Sequence, residues 1–219
     1  MKNRELLYRI LTSLLLLPIL IYILYNSGIY LLIFLVLIYL FSFYEIIKNT
    51  KNFFFNIISN IILILALFSF YQLRGDSNYS LVLIFWILTA TFLSDIGGYV
   101  FGRTFKGKKL TIISPNKTYS GAVGSIIFSI LSIPLLNLFE QLLFNEILIN
   151  FYHLKYLLLT FLISIICQLG DLYVSFWKRK INIKNISNLL PGHGGILYRI
   201  DGLIFVLIFS FLIKEIGFI

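Results

Sequence analysis

Three aspartates stand where a carboxylate is costly. Asp95, Asp171 and Asp201 each lie at or just inside the end of a long apolar run. Carboxylates at membrane depth face a bundle interior, a watery cavity or a cation. Three of them converging on one face can hold Mg²⁺, a hard ion that takes oxygen ligands and commonly serves phosphate substrates. The plainer alternative is pairing with nearby basic residues, Asp95 with Arg103 and Asp201 with Arg199 or Lys178.

What surrounds the aspartates favours phosphate chemistry. The first cluster reads Ser94-Asp95-Ile96-Gly97-Gly98-Tyr99, then Gly102-Arg103. It is followed by Lys106-Gly107-Lys108-Lys109 and by Ser114-Pro115-Asn116-Lys117-Thr118-Tyr119-Ser120-Gly121. Glycines let backbone approach a ligand closely, and Lys, Ser and Thr donate to phosphate oxygens. Alone, such a segment also suits a basic loop lying on anionic lipid. The second cluster is more specific: Gly170-Asp171-Leu172-Tyr173, Ser175, Lys178, Arg179, Lys184, Pro191-Gly192-His193-Gly194-Gly195, Arg199 and Asp201. On a helix Asp171, Ser175 and Lys178 recur at i, i+4 and i+7 and share one face. His193, set between glycines in a basic segment, is a ligand-contact candidate.

The elements that must position these residues are membrane helices. The chain has 219 residues, 59% hydrophobic and only 12% charged, with a mean hydropathy of +0.95. A soluble domain is about 45–50% apolar and about 25% charged. Apolar runs predict about seven spans, centred on 10–25, 29–44, 53–71, 81–101, 121–138, 156–169 and 200–213, with room for a re-entrant piece in 139–153. The reading is an all-α polytopic bundle. It forms a single membrane-embedded domain over 1–219, with N-terminal spans in 1–80 and the motif-bearing part in 81–219. The basic start followed by an apolar run lacks a small-residue cleavage site and reads as a retained first helix.

Charge sets the orientation. Fifteen of the 18 Lys and Arg residues fall in alternate non-membrane segments beginning with the N-terminus. That predicts a cytoplasmic N-terminus, with segments 103–119 and 170–199 on the cytoplasmic face. The same rule, with anionic lipid headgroups, accounts for a net charge of +9 without nucleic acid as a partner. The single cysteine, Cys167, excludes an internal disulfide and reads as a small buried residue.

The run S-x-x-K-R-x₄-K-x₆-P-G-H-G-G-x₃-R-x-D, from Ser175 to Asp201, resembles the signature of the CDP-diacylglycerol synthases, or phosphatidate cytidylyltransferases. The segments S-D-x-G-G-Y-x₂-G-R from Ser94 and S-P-x-K-T-x₂-G from Ser114 resemble that family's two upstream motifs. The likeness covers about half the chain. It implies an inner or plasma membrane enzyme, its active site facing the cytoplasm, that joins CTP to phosphatidic acid with Mg²⁺ and releases pyrophosphate. It also implies roles: Asp171, Asp201, Lys178, Arg179 and His193 catalytic; Ser114, Lys117, Thr118, Ser175, Lys184, Gly194, Gly195 and Arg199 substrate-binding; Asp95, Asp171 and Asp201 on the metal. A homodimer is compatible with it. Other readings are a CTP-dependent lipid or polyprenol kinase, a degenerate homologue that binds lipid or nucleotide, and, least favoured by one-sided polar clustering, a transporter.

Three positions depart from the family pattern. Trp177 stands for a small aliphatic residue, and Asn185 and Tyr198 stand for Asp. At neutral pH a phenol, with a pKa of about 10, brings no charge to a metal. Trp177 changes only size, while the loss of Asp at 185 and 198 predicts reduced activity. Tyr198→Asp is expected to raise turnover and sharpen Mg²⁺ dependence; an unchanged rate in an active protein would mean that Asp95 or Asp171 compensates.

Overall fold

The computed structural model describes residues 2–49, 52–111, 114, 117–180, 195, 197 and 200–219; the side chains of residues 2–13 and 49 are outside this description. The described residues form eight helices: α1 (Lys2–Asn26), α2 (Gly28–Asn49), α3 (Phe53–Arg74), α4 (Asn78–Thr104), α5 (Tyr119–Ile130), α6 (Ser132–Phe144), α7 (Leu154–Lys180) and α8 (Asp201–Glu215). Among them the single β-type pairing is an isolated bridge between Lys109 and Thr118. Five segments are long and apolar enough to cross a membrane: Gly28–Lys48, Phe53–Arg74, Asn78–Thr104, Tyr119–Phe144 and Leu154–Lys180. Large apolar side chains cover the outside, with Phe53 at 79% and Phe54 at 70% exposure. A surface of this kind is stable in lipid and not in water. The chain is a multi-pass helical membrane protein.

The helix ends refine the sequence reading in two places. The apolar run 121–138 is not one unbroken helix, because α5 stops at Ile130 and α6 starts at Ser132. Pro134 has no N–H to offer the carbonyl four residues back, and its ring crowds that turn. Beyond it α6 continues to Phe144, and irregular backbone, not a re-entrant helix, fills 145–153. The second refinement concerns 170–180, expected as the start of a loop. Here α7 runs on to Lys180, 11 residues past the apolar span. No proline interrupts it, and three basic residues in its last turn suit the negative end of the helix dipole.

At the centre stands α4, packed by α3, α5, α6, α7 and α8. Trp86 is fully buried, donates its indole N–H to Thr160 at 3.1 Å and packs edge-on against Tyr156. Ser94 and Ser164, each further along its helix, share a hydrogen bond of 2.9 Å. These contacts run in order along both chains, so α4 and α7 are parallel.

α5 lies closer to α4 than any side chain would allow. A methyl group on Gly97 would sit 2.3 Å from the Gly124 carbonyl oxygen, and one on Gly121 would sit 2.9 Å from that of Gly98. Small residues at such spacing let helix backbones touch in lipid, where apolar burial supplies no drive to associate. α7 and α8 meet likewise at Gly170 and Gly202. The ends of α2, α4 and α7 and the starts of α3, α5 and α8 therefore gather at one end of the bundle. Arg74 ties the opposite end. It is 3% exposed and donates to the carbonyls of Leu24, Tyr25 and Gly75.

In Gly124→Val the new side chain would start 2.4 Å from the Phe101 Cβ. Overpacking of that kind costs about 1–3 kcal/mol or more. The variant is expected to unfold at clearly lower temperature in detergent, while Val123→Leu, on the exposed side of the same turn, should leave the midpoint unchanged.

Candidate functional site

A short returning segment delivers Lys117 to the polar end. Leu110 N–H donates to the Lys117 carbonyl at 2.8 Å and Tyr119 N–H to that of Lys108 at 3.1 Å, so 108–119 folds back on itself. Ser114 accepts from Lys117 N–H through its carbonyl at 3.0 Å, and its own N–H is held by the Thr111 hydroxyl. Thr118 then caps α5, its hydroxyl accepting from Gly121 N–H at 3.1 Å. With the backbone held on both sides, the Lys117 ammonium reaches Asp171 on α7 at 2.9 Å.

The carboxylates are brought together as the sequence predicts. An oxygen of Asp95, one of Asp171 and the Cys167 sulfur all lie within 4.8 Å of one another. Asp201 begins α8 beside Asp171, and Lys178 faces it at 3.6 Å. The methyl-free Cα of Gly202 makes this approach feasible, because a methyl there would lie 2.8 Å from Asp171 Oδ1. Asp201 thus takes the pairing with Lys178 that residue types alone allow. Asp95 does not pair with Arg103, whose guanidinium donates to the Tyr99 hydroxyl at 2.6 Å. Instead Asp95 Oδ1 accepts from the Cys167 thiol at 3.4 Å. Cys167 is buried as expected, yet it floors the site instead of filling a remote core.

Between α4, α5 and α7 lies a cleft of about 210 Å³, walled by Asp95, Tyr99, Lys117, Thr118, Gln168 and Asp171 among others. Pockets that enclose a drug-sized ligand measure about 300–1,000 Å³. Among the described residues the cleft has room for a phosphate group and a cation. Ser175 and Lys178 continue the Asp171 face of α7, partly buried, while Arg179 lies on its exposed side. Gly195 is buried against Glu45 of α2. His193, Lys184, Gly194, Arg199, Asn185 and Tyr198 lie outside the described residues. Trp177 packs its ring on Phe55 at 5.1 Å, with the Lys180 ammonium 4.9 Å from its centroid. The larger side chain thereby joins α7 to the start of α3.

Two residues of this end escape the sequence reading. Gln168 donates to the Ala122 carbonyl and to Ser164 from inside the apolar run 156–169; an uncompensated amide within a span was the available signal. Glu45, fully buried, falls one residue beyond the predicted span 29–44 and so reads as a loop edge.

The donor set suits a hard divalent ion. Asp95 and Asp171 offer carboxylate oxygens at mutual distances a single cation can bridge, and Asp201 stands beside them. The Cys167 sulfur is a soft donor that Mg²⁺ does not favour. The fold and site define a polytopic helical membrane protein with clustered carboxylates and lysines at one end. A sequence model of the cytidylyltransferase family matches residues 48–216. The chain belongs to that family. Among similar proteins are three named phosphatidate cytidylyltransferase. That of Staphylococcus haemolyticus is 41% identical over 139 residues, covering 63% of this chain and 50% of the relative. That of Bacillus subtilis is 36% identical over 143 residues, 65% and 51%. That of Rickettsia conorii is 32% identical over 154 residues, 68% and 64%. The chain spans about half the length of the first two.

If the carboxylates hold a divalent cation, Mg²⁺ or Mn²⁺ should raise the unfolding temperature of the detergent-solubilised protein, by mass action on the folded state. Asp95→Asn/Asp171→Asn should abolish that rise. An equal rise in the double variant would remove this pair from any metal site.

Proposed function

We propose that the chain transfers the cytidylyl group of CTP to phosphatidic acid, giving CDP-diacylglycerol and pyrophosphate, with Mg²⁺ as cofactor. The observation that carries the reading is the Lys117–Asp171–Asp95 cluster in a cleft of phosphate size at the end of a lipid-embedded bundle. Family membership supports it, as do the names of the relatives.

The chemistry asks little covalent help from the protein. A phosphate monoester has a second pKa of about 6, so near neutral pH the phosphatidate oxygen already bears the charge it needs to attack. It forms a bond to the α-phosphorus of CTP, the bond from that phosphorus to the bridging oxygen breaks, and pyrophosphate leaves with the electron pair. Two strongly anionic partners must be brought together, so catalysis is positioning and charge neutralisation. Lys117 and Lys178 lie at the cluster with ammonium groups that can shift from carboxylate to phosphate oxygens. Asp95 and Asp171, with Asp201 beside them, would hold Mg²⁺, which when bound offsets charge on the phosphates. Ser114 and Thr118 hold the segment that presents Lys117, and Arg179 adds a cation at the rim. The apolar exterior lets the diacyl tail stay in the bilayer while its headgroup reaches the cleft. The bias of basic residues supports a cytoplasmic setting for this end of the bundle, the side on which CTP would bind.

Purified protein in inside-out membrane vesicles should release pyrophosphate, not CDP, from added CTP when phosphatidate and Mg²⁺ are present. Sealed right-side-out vesicles should be silent. Asp171→Asn should lower the rate by about 10²-fold or more. CDP as product would favour a kinase, and activity confined to right-side-out vesicles would reverse the orientation.

A further inference from the structure

Glu45 is a buried carboxylate inside an apolar helix, and the chemistry above does not use it. It lies on α2, three residues before the segment that the family model matches. Its surroundings are specific. Glu45 Oε2 accepts from the Leu197 backbone N–H at 3.0 Å, a contact across 152 residues of chain. Gly195 passes so close that a methyl group on it would stand 2.9 Å from both carboxylate oxygens. Leu197 and Ile200 pack into an apolar cluster with Ile46, Leu63 and Ile204, drawn from α2, α3 and α8. One residue after Ile200 comes Asp201, the carboxylate that faces Lys178.

From these contacts we infer that Glu45 is a positioning residue: its carboxylate anchors the backbone at 195–197 and thereby sets where α8 begins and where Asp201 stands. Backbone at and before a helix start has donors without helical partners. A buried acceptor from another helix satisfies one of them and fixes the segment's depth, because a buried N–H left unpaired is costly. The inference gives Gly195 a reason independent of substrate: only a residue without Cβ lets the backbone lie against Glu45. Lys117 reaches Asp171 from one side, Glu45 holds the approach to Asp201 from the other, and the two carboxylates are brought side by side. The catalytic consequence rests on the cytidylyltransferase reading; the anchor itself does not.

The experiment uses the full chain in detergent with two readouts. Hydrogen exchange at peptides covering 195–200 reads the anchor whether or not the protein turns over, and turnover of CTP with phosphatidate reads its consequence. Wild type without turnover would count against the reading of function and leave the exchange test standing. Glu45→Ala should speed exchange at 195–200 and lower the rate about tenfold or more. Glu45→Gln, which keeps an acceptor oxygen, should stay close to wild type in both. Gly195→Ala should damage both, and adding Glu45→Ala should recover part of the loss by removing the group the methyl strikes, a non-additivity that separate roles would not show. Unchanged exchange in Glu45→Ala, equal loss in Glu45→Gln and Glu45→Ala, or additive effects of the pair would overturn the inference. If Glu45→Ala does not fold, Gly195→Ala carries the test, and wild-type exchange in it would overturn the inference equally.

Discussion

Between helices in a bilayer, apolar side chains gain little by exchanging lipid for one another, so association rests on close packing and on hydrogen bonds between helices. The contact of Gly97 and Gly98 with Gly121 and Gly124 meets that condition with backbone against backbone. Much of the polar end depends on it. α5 starts at Tyr119, immediately after the capping Thr118 and the reaching Lys117. The depth at which α5 seats on α4 therefore decides where the Lys117 ammonium arrives. Asp95 lies two residues before Gly97 on the same helix, so one contact places both a cation and a carboxylate.

The second constraint is electrostatic. Asp95 takes a thiol hydrogen bond from Cys167, Asp171 an ammonium from Lys117, and Asp201 an ammonium from Lys178. Each partner comes from a different part of the chain than the carboxylate it serves: Cys167 on α7 for Asp95 on α4, Lys117 before α5 for Asp171 on α7, and Lys178 on α7 for Asp201 on α8. Leaving one member of a desolvated pair alone is costly, commonly about 3–5 kcal/mol when fully buried. The pairs here are partly exposed and worth less.

The two ends of the bundle use charge differently. Arg74 is almost wholly enclosed and spends its donors on carbonyls at the end of α1 and just after α3, with Asp76 holding Ser27 nearby at 3.0 Å. Its role is to close helix ends. At the opposite end, Lys117, Asp95 and Asp171 line a cleft with Gly98 and Gly121 beside them. The parallel pair α4 and α7 thus carries a sealed end and an accessible end, with the core at Trp86 between them.

The sequence by itself determined the class of fold and the clustering of polar residues at one end. Apolar run length and the one-sided distribution of Lys and Arg are properties of the chain that need no contact to be read. The i, i+4, i+7 spacing of Asp171, Ser175 and Lys178 placed them on one helical face, and α7 bears that face. Only the tertiary structure decided the partners. Arg103 is eight residues from Asp95 and bonds Tyr99, whereas Lys117 finds Asp171 across 54 residues. Pro134 divides an apolar run that hydropathy reads as continuous, and α7 outlasts its apolar stretch because helix hydrogen bonding does not stop where hydrophobicity does. Glu45 was illegible for the same reason: its value lies in a backbone N–H at Leu197, 152 residues away, and no local pattern records which distant donor a buried carboxylate will meet.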